Sequence, residues 1–173
     1  VDQRMRATVE ITDDRAFSLD APEVNVSGYQ KQMDALGKGD VPKGAKFVEH
    51  AAKNFVETYP FVGGVKVTTS SDFSSQFGFG SSSASTVCVL KALSEMSGKK
   101  IVNKTIFDLA YKTILDVQGK GSGFDVAAAI WGGMLYFVTG GKIIEPLEVK
   151  DMPLVIGYTG VKADTVTIMG EVS

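Results

Sequence analysis

The sequence predicts a single mixed α/β domain, and three observations carry that expectation. Arg4 to Thr12 alternates strictly, with Met5, Ala7, Val9 and Ile11 on one side and Arg6, Thr8 and Glu10 on the other, as a half-buried strand does. Ala45, Phe47, Val48, Ala51, Ala52, Phe55, Val56 and Tyr59 recur at helical spacing after Pro42, a residue suited to a helix start. Two glycine-rich turns, Gly78–Gly80 and Gly119–Gly123, each deliver the chain to an apolar segment of helical character. At 173 residues the chain suits one domain, which buries about 70% of its extended-chain surface.

The elements follow in order. After the strand over 4–12, residues 17–42 carry Gly28, Gly37 and Gly39 and read as a short strand followed by a loop. The helix over 43–59 stops at Tyr59-Pro60, because proline cannot continue it. Gly64 to Thr69 is a strand, leading through a serine-rich loop into a helix that ends near Gly98. Asn103 can cap the next helix, with Ile106, Leu109, Ala110, Ile114 and Val117 on its inner face. Asp125 to Ile130 is a short helix, and Gly133–Val138 and Lys142–Val149 form a hairpin across Gly140-Gly141. Leu154 to Tyr158 reads as a last buried strand. There is no internal repeat, linker or long low-complexity tract.

Composition excludes several functions. The apolar share of 44% and charged share of 22% are those of an ordinary globular protein. A net charge of −2 gives no basic field to draw the chain to nucleic acid or a membrane surface. No run of about 18 apolar residues could span a bilayer, and the N-terminal residues lack a charged-then-apolar signal pattern. The single cysteine, Cys88, rules out an intrachain disulfide framework and a cysteine-cluster zinc site; it is expected as a buried structural thiol, and a reducing cytoplasm fits best. The single histidine, His50, lies off the helical stripe and is expected on the solvated surface. A multi-histidine metal site is impossible, so acid–base chemistry falls to a carboxylate or a lysine.

The stretch Phe77-Gly78-Phe79-Gly80-Ser81-Ser82-Ser83-Ala84-Ser85 carries the chemistry. A glycine-rich turn opening a helix points unpaired N–H groups outward and adds the positive end of the helix dipole, a device for holding phosphate. The serines can donate to phosphate oxygens, or one can ligate magnesium. The same residues would also suit a serine-capped helix after a flexible loop. The second stretch is Gln118-Gly119-Lys120-Gly121-Ser122-Gly123-Phe124-Asp125, which delivers an aspartate to a helix start. Alone, Asp125 would be a favourable helix-terminal carboxylate. Together, a phosphate cradle and a carboxylate on a tight turn are the parts needed for phosphoryl transfer to an alcohol.

These residues resemble those of the GHMP small-molecule kinases. Gly78-Phe79-Gly80-Ser81-Ser82-Ser83-Ala84 is similar to the family's second motif, a proline, three residues, then Gly-Leu-Gly-Ser-Ser-Ala; Ser74 stands where the proline is common and Phe79 replaces the leucine. Asp116-Val117-Gln118-Gly119, followed by Ser122-Gly123-Phe124-Asp125, resembles the catalytic-aspartate segment of mevalonate and phosphomevalonate kinases. Tyr158-Thr159-Gly160-Val161-Lys162-Ala163-Asp164-Thr165 is similar to the Thr-Gly…Thr segment of mevalonate kinases. The three matches keep the family's order and approximate spacing.

The resemblance implies a two-layer α/β domain like the second domain of ribosomal protein S5, with a mostly antiparallel sheet backed by helices. It implies ATP and Mg2+ as cofactors and mevalonate or phosphomevalonate as the substrate, in isoprenoid precursor synthesis, with no nucleic acid or membrane partner; it is compatible with a homodimer. Gly78, Phe79, Gly80, Ser81, Ser82 and Ser83 would wrap the phosphates, and Ser82 would contact the metal. Asp125 would be the catalytic base or orienting carboxylate, while Ser122, Gly123 and Thr165 would line the substrate side. Residues 1–173 would form the ATP-binding N-terminal domain. The family's lysine-bearing first motif and its glycine-rich third motif, in a C-terminal ferredoxin-like domain, are expected outside this sequence, and the fragment by itself is expected to be inactive. Ile114 stands where mevalonate kinases carry a magnesium-ligating glutamate, so either Asp116 takes that role or the metal relies on Ser82, phosphate and water. Alternatives to mevalonate kinase are a phosphomevalonate kinase, resembled by the run Gly121–Ala129, and a non-catalytic nucleotide-binding relative, suggested by Ile114. An RNA-binding module of the same fold is disfavoured by the charge of −2.

Overall fold

The computed structural model describes residues 3–149, 152–158 and 160. Strand β1 (Met5–Thr12) pairs antiparallel with β4 (Gly64–Ser71), bringing Val9 opposite Val67. Strand β2 (Ala16–Ala21) runs parallel to β4 and antiparallel to β3 (Val26–Gln32), giving the order β1-β4-β2-β3. A second, two-stranded sheet holds β5 (Met134–Val138) and β6 (Ile143–Leu147). Period-two alternation builds one inner face: Phe17, Leu19 and Ala21 of β2 and Val65, Val67 and Thr69 of β4 are buried. Lys66, Thr68 and Ser70 of β4 point to solvent.

Helices cover the inner face. Helix α1 (Lys46–Thr58) buries Val48, Ala51, Ala52 and Phe55, and α2 (Ser81–Met96) buries Val87, Val89, Leu90 and Leu93 while packing on β1. Helix α3 (Asn103–Gln118) and the short α4 (Phe124–Trp131) complete the layer. Phe17, Phe55 and Phe107 are fully buried, and each such side chain stabilises the fold by about 1.5–3 kcal/mol. The mixed sheet backed by helices bears out the expected architecture.

Four local expectations are corrected. Residues 17–42 hold two paired strands, not one: β3 is an edge strand whose side chains are mostly exposed, so it shows no apolar alternation. Helix α1 starts at Lys46, three residues late, because Pro42 closes a turn first: its carbonyl accepts from Ala45 N at 2.8 Å and Lys46 N at 3.2 Å. Asn103 is the first residue of α3 and not its cap; Val102 occupies that position without a side-chain hydrogen bond. Leu154–Tyr158 pairs with no strand among the described residues, and Leu154, Val155, Ile156 and Tyr158 are exposed. An apolar run specifies a strand only where an open sheet edge receives it.

Candidate functional site

The first glycine loop links β4 to α2. Ser74 accepts a hydrogen bond from Gln76 N at 3.1 Å and starts the turn Ser75–Phe77, so serine does the turn-initiating work of the family's proline. Gly78 (φ +74°) and Gly80 (φ +68°) lie in the left-handed region. Gly80 occupies the cap position of α2 with no side-chain hydrogen bond, which corrects the serine-capped alternative. The first intrahelical bond is Ala84 N to Gly80 O at 2.9 Å, leaving the N–H groups of Ser81, Ser82 and Ser83 at the open end of a 16-residue helix. A Cβ on Gly78 would meet nothing within 4 Å. Ser81 and Ser82 are half-exposed, whereas Ser83 is buried. The Ser82 carbonyl accepts from Ser85 Oγ at 3.0 Å and Thr86 Oγ1 at 2.8 Å, and the Ser82 hydroxyl makes no hydrogen bond among the described residues. Phe79 rests its half-exposed ring against Phe73 and Phe77, with centroids at 6.0 and 5.8 Å.

The second loop links α3 to α4. Gly119 (φ +75°) closes α3 by donating to Leu115 O at 2.8 Å, and Gly123 (φ +88°) opens α4. Asp125 falls in the first turn of α4. A Cβ built on Gly80 would stand 3.6 Å from Asp125 Cβ and Cγ and 3.8 Å from its Oδ2. Two helix N-termini, each opened by a left-handed glycine, therefore meet, with one carboxylate at the junction. Asp125 makes no hydrogen bond or ion pair among the described residues. As a residue it opens to solvent, but the crowding of its carboxyl raises its pKa above the ordinary aspartate value through burial.

The remaining expectations divide. Ser122 and Gly123, expected on the substrate side, stand just ahead of Asp125 in the second loop, while Thr165, with Thr159 and Lys162, lies outside the described residues. Tyr158 reaches the first loop, its hydroxyl 3.3 Å from Gln76 O and its ring 5.3 Å from Phe77. Ile114 is buried and touches the Gly121 position. Asp116 points elsewhere: its Oδ2 accepts from Asn54 Nδ2 at 2.9 Å and Lys112 Nζ at 2.7 Å. Burial opposes its ionisation, but Lys112 and Asn54 outweigh that, and its pKa is lowered. It lines a small polar pocket of about 230 Å³ with His50, Lys46 and Gly37, on the α1 side of α3. Among the described residues no group of three or more His, Cys, Asp or Glu could hold a metal.

The expected position of His50 is also corrected. His50 is half-buried, its Nδ1 is buried with no partner among the described residues, and burial lowers its pKa. Cys88 is half-buried with Sγ 3.2 Å from Met5 O, and burial raises its pKa, as suits an unreactive thiol. Sequence reasoning missed Tyr111, whose hydroxyl donates to Gly121 O at 2.9 Å. The available signal was an aromatic pair one helical turn apart, Phe107 and Tyr111, whose rings stack at 5.8 Å.

The sequence model described as GHMP kinases N terminal domain matches residues 46–133, a span that contains both loops. The mevalonate kinase of Thermococcus onnurineus is 30% identical over 95% of this chain and 51% of its own length. A phosphomevalonate kinase of a Streptomyces species is 37% identical over 62 residues, 36% of this chain and 17% of its own length. In fold, the crystal structure of the Methanococcus jannaschii mevalonate kinase superposes with a TM-score of 0.70 at 21% identity, over 83% of this chain and 45% of that one. The chain spans about half the length of the mevalonate kinases it matches. No helix among the described residues is long and apolar enough to cross a membrane.

Proposed function

The chain belongs to the GHMP kinase family, and from that premise we propose that it forms the ATP-binding N-terminal domain of a kinase that transfers a phosphoryl group to the hydroxyl of mevalonate. The observation that carries this reading is the seat of Asp125 against Gly80, which sets a proton acceptor beside the phosphate loop. The N–H groups of Ser81, Ser82 and Ser83, with the hydroxyls of Ser81 and Ser82, bind the phosphates of ATP. Asp125 orients the acceptor alcohol and takes its proton as the oxygen attacks the γ-phosphorus and the bond to ADP breaks. A carboxylate whose proton affinity burial has raised suits that task. Ser122 and Gly123 line the acceptor side, and Thr165 joins them by the family resemblance.

The donors present fit magnesium as this class of site uses it, with few protein ligands, several waters and phosphate oxygens. Ser82 would supply a hydroxyl that makes no hydrogen bond among the described residues, whereas Asp116 is engaged by Lys112 and Asn54. When bound, magnesium neutralises phosphate charge. The enzyme fits a cytoplasmic setting, since a lone half-buried cysteine needs no oxidising compartment.

Mevalonate is favoured because phosphomevalonate carries a second dianion, for which arginine is the usual bidentate partner. The only arginines, Arg4, Arg6 and Arg15, lie near the start, and Arg6 is committed to Asp72. The stretch of 37% identity to a phosphomevalonate kinase supports that enzyme as the second reading. A coupled ADP-release assay on the product of the complete reading frame, run with each acceptor separately, decides between them. Turnover with mevalonate is expected. Turnover only with phosphomevalonate would overturn the substrate, and turnover with neither favours a non-catalytic relative.

A further inference from the structure

Three consecutive residues ahead of Phe124 and Asp125 are held from outside their own loop. The Gly121 carbonyl accepts from the Tyr111 hydroxyl at 2.9 Å. The Ser122 carbonyl accepts from Gly140 N at 2.9 Å, in the turn joining β5 to β6. Gly123 lies flat against the Tyr111 ring: a Cβ there would come within 2.9 Å of Tyr111 Cδ2 and 3.3 Å of Phe107 Cζ. The Tyr111 ring in turn stacks on fully buried Phe107, with an interplanar angle of 21°, and Phe107 packs against Trp131 and Phe137 at 6.1 Å. A Cβ on Gly141 would overlap the Phe107 ring, so the β5–β6 turn is seated on the same stack. Tyr111 thus touches the aspartate loop by hydrogen bond and by face, and is anchored in the core on its other side.

We propose that Tyr111 is a positioning residue for phosphoryl transfer, fixing the loop that presents Asp125 through its hydroxyl on Gly121 and its ring beneath Gly123. The proposal rests on the reading of Asp125 as the proton acceptor. A base acts only within hydrogen-bond reach of the proton it takes, so slack in this loop is felt in turnover. The Tyr111 hydroxyl and ring engage Gly121, Gly123 and Phe107, so the effect is expected on the aspartate loop and not on nucleotide binding.

Tyr111→Phe in the product of the complete reading frame removes the hydroxyl and keeps the ring. The expected result is a fall in kcat of about tenfold, with KM for ATP within about twofold of wild type. Amide hydrogen exchange is expected to accelerate over residues 119–125 and to stay unchanged over 81–84. Tyr111→Leu, which also removes the face under Gly123, is expected to lower kcat further. Unchanged kcat in Tyr111→Phe, or equal losses in kcat and ATP affinity, overturns the positioning role. Should the wild-type protein phosphorylate neither acceptor, the kinase reading fails on the wild type alone. Exchange then judges the clamp: local acceleration over 119–125 upholds it, and unchanged exchange overturns it.

Discussion

The two glycine loops meet at one point and are built in opposite ways. The loop over 78–83 is open: among the described residues nothing lies within 4 Å of the Gly78 Cβ direction and no side chain caps α2, and Phe77 and Phe79 beside it are 43% and 42% exposed. The loop over 119–125 is clamped by Tyr111, Phe107 and Gly140. The difference matches the proposed work of each. A segment that wraps a ligand's oxygens with N–H groups needs free space around its backbone. A segment that aims one carboxylate needs its backbone fixed, because a misplacement of about 1 Å can cost about a hundredfold in rate.

The largest effect is expected at Asp125. Asp125→Asn keeps the shape and removes the proposed proton acceptor, so turnover is expected to fall about 10²–10⁴-fold while ATP affinity changes little; steady-state kinetics and calorimetric titration measure the two. Gly80→Val is expected to act on the other side. Its branched side chain would enter the space before α2 and press on Asp125, lowering nucleotide affinity tenfold or more, about 1.4 kcal/mol, in a protein shown by its melting transition to be folded. Unchanged affinity in that variant removes the loop from the nucleotide site.

A pair of alanine substitutions sharpens the contrast between open and clamped. Gly78→Ala meets only the cost of a left-handed φ in open space, about 1–2 kcal/mol. Gly123→Ala meets the same cost and in addition drives a Cβ into the Tyr111 ring, adding about 1–3 kcal/mol. Denaturant titration of both is expected to rank Gly123→Ala as the more destabilised, and equal losses would mean that the second loop is not clamped.

The smallest effect expected is on pH dependence. Burial raises the Asp125 pKa in the folded protein, so the fold holds that proton more tightly than the unfolded chain does. Stability is therefore lost as pH rises from the ordinary aspartate value, about 3.9, through the raised one. At pH 7 Asp125→Asn is expected to melt above wild type, and the gap is expected to close in acid below the ordinary value. A gap of constant size across that range would contradict the assignment.

Much of this arrangement was legible in the residues themselves. Glycine pairs ahead of apolar helical repeats announce both loops, and Asp125 stands at a helix start in the sequence as in the fold. What was not legible depends on partners from distant elements. Edge strand β3 is mostly polar and escaped notice, and with it went Glu49, a fully buried carboxylate held by Tyr29 Oη at 2.6 Å and Lys31 Nζ at 2.9 Å from β3, and by Gly37 N at 2.7 Å. A helical stripe shows which side of α1 is apolar, not which donors will meet an acid on it. His50 was misjudged for the same reason, since the Gly37–Val41 segment shields it. Leu154–Tyr158 shows the converse error, in which a strand-like composition meets no strand among the described residues.

In the proposed mechanism the alcohol and ATP meet at the junction of the two loops. That meeting is read by ³¹P NMR of ATP, magnesium and mevalonate incubated with the product of the complete reading frame. The expected result is one new phosphomonoester resonance on mevalonate, growing in step with ADP and absent from the Asp125→Asn reaction. ADP formed only with free phosphate, or an ester formed equally well by the Asn variant, would contradict it.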